Sequence, residues 1–418
     1  MKHVALVMLL VALPVQRAAA ASDLPLVFSQ EDISAGNARS SWPPFSELPS
    51  IASLPDPFLM VNGKRVATRD NWVQRRAEIR AMLEQYDVGA KPGKPSAFRA
   101  TLEGNTIHMI VGEGANTFEM TATINRPAGA PDRAIPVLIG INSPSGSLPP
   151  DLIASRGIAT IAFKTNEVAS SGFSGINYEA GNFAKLYPDS TAGYMIRWAW
   201  GVSRIIDALE ALPQAKLDLS HIAVTGCSYA GKAALYAGAW DERIALTIPQ
   251  ESGGGGTISW RYSDMLEKRD HVEVENLMHA QGGSADFPWY SRALRQFTNA
   301  PEKLPVDHHE LIALIAPRAV LMIESTQVPR MGAEAARIDA LAAHEVWKAL
   351  GVPARMGVTE EDTPHCRWHS GFTPDLEAYL DRFMLNKTEG RSTEILRSRF
   401  TDINRAKWIT WQTPVLKR

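Results

Sequence analysis

Cysteine is almost missing from this sequence: only Cys227 and Cys366 occur in 418 residues, so the fold holds at most one internal disulfide. Neither sign of charge is in excess. Lys and Arg number 43 against 45 Asp and Glu, a net charge of -2, which removes the broad positive field that nucleic-acid or anionic-membrane binding needs. Beyond the first twenty-odd residues no stretch is long and apolar enough to read as a membrane span, and there is no internal repeat or low-complexity tract. What remains is an ordinary globular composition, 45% hydrophobic and 21% charged, able to bury a large core. The expected partner is a small molecule or a neutral polymer.

The start reads as an export signal over residues 1–21. Lys2 and His3 are polar, Val4 to Val15 is apolar but too short to span a bilayer, and Ala18 to Ala21 supply small residues for cleavage. Arg17 sits close to that cleavage site, and an uncleaved anchor is the alternative. Export implies a secreted or periplasmic protein and an oxidising compartment, where Cys227 and Cys366 can pair; two buried free thiols are the other reading. Each cysteine adjoins a candidate catalytic residue, Ser228 or His365, and a bridge between them would tie those two loops together.

Residues 22–57 are rich in Ser and Pro without a sustained period and read as an extended arm, leaving 58–418 as one catalytic domain. Within it Asn71 to Tyr86 has a helical apolar stripe. Strand-like runs follow at Thr106 to Val111, Phe118 to Ile124, Ile135 to Asn142, Ile158 to Phe163, His221 to Gly226 and Ala319 to Ile323. Helical runs lie at about Ala192 to Leu212, beyond Ser228, and at Glu334 to Leu350. Strands alternating with helices of this length predict an α/β three-layer sandwich around a mostly parallel sheet. The polar tail after Asn386 is expected to wrap back through Trp408 and Trp411.

Chemistry concentrates in HIAVTGCSYAGKAALYAG, residues 221–238. A strand, a tight turn at Gly226, Ser228 and Gly231, and an Ala-rich helix make the context of a nucleophile elbow, with Ala230 where the usual motif has its second glycine. The backbone N–H of Tyr229 would then face a developing oxyanion. A serine hydroxyl needs a base, and the base an acid to fix its tautomer. His365, in the loop EEDTPHCRWH, is the expected base, with His369 as its rival. Two acids compete. Glu251 ends a strand-like run and precedes four glycines, while Asp307 precedes a helical ELIAL and is also a natural N-cap. His308 and His309 lie poorly for two ligands on one metal, and neither metal nor cofactor is expected.

These motifs together resemble the glucuronoyl esterases, α/β-hydrolase serine enzymes acting on esters between 4-O-methyl-glucuronic acid of xylan and lignin alcohols. The resemblance rests on NWVQRRAEIRAMLEQYDVG, GCSYAGKAAL, ALTIPQESGGGG, LPVDHHELIALIAPRAVL and PHC, spread over most of the chain. It implies Ser228 as nucleophile, His365 as base, Glu251 as acid, Asp307 as a second acid seen in some members, Lys232 as a contact to sugar hydroxyls, and a Cys227–Cys366 disulfide. Two departures stand out. Tyr229 replaces an arginine that supplements the oxyanion hole, and VPRMG around Arg330 replaces a tryptophan of the glucuronate pocket. The family's sugar-binding Gln and Glu have no evident match between Glu267 and Trp289. The expected function is hydrolysis of glucuronate esters by a monomer that binds no nucleic acid; acetyl esters of xylan, or carbohydrate binding with weak catalysis, are the alternatives.

Overall fold

In the computed structural model the strand-like runs join nine strands into one sheet. The structure describes residues 23–32, 42–169, 177–280 and 288–418; the expected export signal lies outside the described residues. The strands are β1 (Ala97–Glu103), β2 (Thr106–Glu113), β3 (Asn116–Asn125), β4 (Ile135–Ile141), β5 (Ala159–Phe163), β6 (Leu217–Cys227), β7 (Leu246–Gln250), β8 (Ala319–Ser325) and β9 (Met356–Glu361), in the order β1-β2-β3-β5-β4-β6-β7-β8-β9. β1, β2 and β3 form an antiparallel meander that joins the edge of β5, and the six strands from β5 to β9 run parallel.

The parallel strands read as unbroken apolar runs because helices cover both of their faces. Val137, Ile139, Val224, Val320 and Met322 point into one core, and Leu138, Ala223, Leu321 and Ile323 into another. The first core packs against α1 (Arg69–Leu83), α2 (Tyr194–Ala211), α3 (Tyr229–Trp240) and α6 (Ala333–Ala349). The second packs against α7 (Thr373–Phe383). Two further helices matter to the site, α4 (Trp260–Asp270) and α5 (His308–Ala313). This is the α/β sandwich that the alternating pattern implies. β1, AFRATLE, and β9, MGVTEE, lie outside the strand-like runs of the sequence; β1 alternates with little apolar contrast, as suits an edge strand with one face to water.

Chain ends close the body. Trp408 is buried with its ring 4.8 Å from that of Tyr262, and Trp411 stacks on His309 at 5.7 Å. The parallel arrangement has one consequence for chemistry: β4, β6, β7 and β8 all end on the same rim, so Asn142, Ser228, Glu251 and the residues after Ser325 emerge side by side. In open α/β sheets that carboxyl-end rim is where ligands bind.

Candidate active site

Ser228 occupies the turn between β6 and α3 with φ 60° and ψ -131°, a conformation few L-residues adopt. Its neighbours make the turn possible. A Cβ on Gly226 would lie 2.3 Å from the Ala230 carbonyl oxygen, and one on Gly231 would lie 2.5 Å from that of Gln250. The close approach therefore needs glycine at 226 and 231, while the methyl of Ala230 is accommodated. Backbone bonds lock the elbow, with Ser228 N–H donating to Gln250 O at 3.0 Å and Lys232 N–H donating to Ser228 O at 3.0 Å. Gly231→Ala should push α3 off β7 and cost about 1–3 kcal/mol, as overpacking does, read as a lower midpoint in chemical denaturation.

Cys227, the residue before Ser228, is disulfide-bonded to Cys366, the residue after His365, so the bridge expected from position is present. It holds the histidine loop over the elbow. His365 Nδ1 lies 2.6 Å from Glu251 Oε2, and the same carboxylate accepts the Cys366 N–H at 3.0 and 3.1 Å. Glu251 is buried at the end of β7, where its N–H donates to Ile323 O at 2.7 Å. The rival His369 faces elsewhere, accepting the Gly371 N–H at 3.1 Å as the cap of a short turn. Seven non-glycine residues among those described have positive φ, and four of them, Asn142, Ser228, Glu251 and Cys366, meet here. Strain of this kind persists where surrounding structure enforces it and gathers at functional sites.

Beside the elbow, Lys232 is buried rather than an exposed helical lysine. Its ammonium donates to the Ser252 carbonyl and to Glu275 Oε2, the latter at 2.7 Å, and lies 5.8 Å from the centroid of the Trp289 ring. The Tyr229 ring sits between Trp198 and Trp289, with centroids 5.8 and 5.9 Å away, and its hydroxyl accepts from the Asn142 amide at 3.1 Å. Arg330 is half exposed and lies against Glu273 at 3.2 Å and Glu275 at 3.8 Å. The sequence alone does not mark Glu275 or Trp289 as functional. The only signal was the alternation in VEVEN, which cannot tell Glu273 from Glu275. On the other side of Tyr229 and the disulfide, a cavity of about 960 Å³ opens between Pro144, Leu148, Pro149 and Trp368.

Asp307 forms the N-cap of α5, where a capping box with Glu310 is complete. Its buried carboxylate accepts from Trp260 N–H at 2.8 Å and His308 N–H at 2.9 Å and pairs with Arg261 at 2.8 Å. Burial pushes this carboxyl up, but Arg261 and His308 outweigh burial and hold it below the ordinary range. His308 bonds Gly256 O and Asp87 while His309 bonds Pro55 O, so the two rings face different partners. Among the described residues one trio, Cys227, His365 and Cys366, is close enough to share a metal ion, and the disulfide removes both of its sulfurs from that role.

Glu324, next to last in β8, is fully buried, and burial, with the Glu251 and Glu360 carboxylates adding to it, pushes its carboxyl up to about 8. An unfolded glutamate titrates near 4.5, so folding takes up a proton between those values. Stability from this group is therefore complete below pH 4.5 and declines as pH rises toward 8. Glu324→Gln should flatten that slope, gaining Tm over the parent at pH 8 but not at pH 5, by calorimetry.

The family description "Glucuronyl esterase, fungi" matches residues 109–351. The chain is 39% identical to the 4-O-methyl-glucuronoyl methylesterase of Hypocrea jecorina (strain QM6a), over 91% of this chain and 80% of that one. It is 37% identical to the 4-O-methyl-glucuronoyl methylesterase of Cerrena unicolor, over 87% and 77% of the respective chains. The glucuronoyl esterase catalytic domain from Hypocrea jecorina superposes with a TM-score of 0.83 at 38% identity, covering 91% of this chain and 100% of that one. A glucuronoyl esterase mutant from Sporotrichum thermophile, solved in complex with methyl 4-O-methyl-beta-D-glucopyranuronate, superposes with a TM-score of 0.82 at 35% identity, covering 91% and 99%. Shared sequence over nine-tenths of the chain, on the same sheet, places this protein in the glucuronoyl esterase family of α/β-hydrolase carboxylic ester hydrolases.

Proposed function

We propose that the chain hydrolyses esters of 4-O-methyl-glucuronic acid by acyl transfer through Ser228. The observation that carries this reading is the 2.6 Å bond between His365 Nδ1 and Glu251, on a loop disulfide-bonded to the residue before Ser228. With Nδ1 so engaged, Nε2, which lies 3.7 Å from Cys366 Sγ, is the ring atom to take the serine proton. Ser228 Oγ then attacks the ester carbonyl, the Tyr229 N–H stabilises the tetrahedral oxyanion, and His365 returns the proton to the departing alcohol. Water, deprotonated in turn by His365, releases the acid. Lys232 binds the hydroxylated face of the glucuronate, and the Trp289 ring offers it an apolar wall. The disulfide supports export to an oxidising compartment, and no helix among the described residues is long and apolar enough to cross a membrane.

Hydrolysis of benzyl glucuronate by the purified protein, beside a xylan acetyl ester, tests the reading. Cleavage of the glucuronate ester supports it. Cleavage of acetate alone would favour the second reading, a deacetylase, which gains from the uncharged Tyr229 and from Arg330 standing where a tryptophan is expected. Tyr229→Arg should raise kcat on the glucuronate ester about tenfold with KM little changed, since charge-assisted bonds to an oxyanion are roughly twice as strong as neutral ones. Steady-state kinetics of the two proteins check this.

A further inference from the structure

We propose that Glu324 is a positioning residue for substrate binding, acting through Thr257 and Ser252 to seat the Lys232 ammonium. This rests on the reading of Lys232 as the contact to the glucuronate. The path is a continuous set of hydrogen bonds. Lys232 Nζ donates to the carbonyl of Ser252. The Ser252 hydroxyl accepts the Thr257 N–H at 2.9 Å and lies 2.7 Å from Thr257 Oγ1. Thr257 Oγ1 donates to Glu324 Oε1 at 2.6 Å. With the acid proton of Glu324 on Oε2, Oε1 accepts the one hydroxyl hydrogen of Thr257, so the Ser252 hydroxyl donates to Thr257, and all three groups are buried.

The path matters because it ties together the two ends of a glycine loop whose middle is held by Tyr290, bonded to Gly254 O, and by His308, bonded to Gly256 O. Residues 252–257 read SGGGGT, and Gly253 and Gly255 have φ of 60° and 74°. The backbone there is permissive, and the two hydroxyls and Glu324 pin its ends together. Close approach is required as well, since a Cβ on Gly256 would lie 2.5 Å from the Ser252 hydroxyl.

The role calls for a neutral acid. Oε2 of Glu324 has no hydrogen-bond partner among the described residues, a costly state for a buried anion. The charged groups facing Glu324 are Glu251 at the end of β7, Glu360 in β9 and Lys232 on α3. From α6, Arg337 lies near Glu360, and Asp339, which accepts the Ser259 N–H, is itself pushed well up by burial. Two carboxylates against one nearby ammonium disfavour a third negative charge.

The experiment is steady-state kinetics on benzyl glucuronate at pH 7 for the parent, Glu324→Gln, Glu324→Ala, Thr257→Val, Lys232→Ala and the Thr257→Val, Lys232→Ala double variant, with melting curves for each. Glu324→Gln keeps the acceptor for Thr257 without a charge and should retain the parent KM within about twofold. Glu324→Ala and Thr257→Val should raise KM about tenfold, the scale of one broken buried hydrogen bond, with kcat within about threefold. On the Lys232→Ala background Thr257→Val should add less than about twofold, because both act through one group. Should Glu324→Ala fail to fold, Thr257→Val and the double variant still decide. Glutamine as damaging as alanine, or full additivity with Lys232→Ala, overturns the positioning role while leaving the substrate reading intact. A folded parent that does not cleave or bind the ester overturns the substrate reading and this role with it.

Discussion

Ser228→Ala is expected to lower kcat/KM on a glucuronate ester by about 10⁴-fold or more while leaving the melting temperature close to the parent's. The first half follows from chemistry, because no covalent intermediate forms without the hydroxyl, and the remaining donors and binding groups supply only residual catalysis over water. The second half follows from the fold. Alanine keeps a Cβ where serine has one, and the backbone bonds that hold the elbow, to Gln250 O and from Lys232 N, do not use the side chain. Parallel measurement of initial rates and thermal melts checks both. Turnover within tenfold of the parent would refute Ser228 as nucleophile.

The second large effect separates two acids that looked alike in the sequence. Glu251→Gln should reduce kcat about 10²- to 10⁴-fold with KM nearly constant, since the amide still fills the site but no longer stabilises an imidazolium on His365. Asp307→Asn should behave in the opposite way. It weakens the buried pair with Arg261 at 2.8 Å, and breaking such a pair costs about 3–5 kcal/mol, so the loss appears in the melting temperature rather than in kcat of the folded fraction. The carboxyl of Asp307 is held below the ordinary range. Its stabilising contribution is therefore present at neutral pH and lost as the pH falls through its folded value, and the Asn variant should lack that acid-side slope. Kinetics and pH-dependent melts on the two variants distinguish the acids completely.

The contrast between these two residues shows where sequence reading stops. Glu251 and Asp307 each follow an apolar run, and the local N-cap signature of Asp307 does not by itself exclude it as an acid. What separates them is which one the parallel sheet delivers to the rim where β6 and β7 end, and which one is drawn to the start of α5 by four backbone and side-chain donors. Glu275 was out of reach for the same reason, since its meaning depends on Lys232, 43 residues earlier. Glu324 reads as the polar end of a strand until Thr257 and the two neighbouring glutamates are placed around it.

By contrast, the strand, the turn and the Ala-rich helix around Ser228 form a local unit of eighteen residues, whose glycines answer to contacts made within the turn and with the adjoining strand. Periodicity and turn chemistry act over a few residues, so the sandwich and the strand–turn–helix around Ser228 are legible in the sequence, and the Cys227–Cys366 bridge follows from where the two cysteines fall. Burial, charge and hydrogen bonding are summed over residues distant in the chain. Tertiary structure places the Glu251 carboxylate 2.6 Å from His365, Asp307 at the start of α5, and Glu324 fully buried near Glu251 with its carboxyl pushed up to about 8.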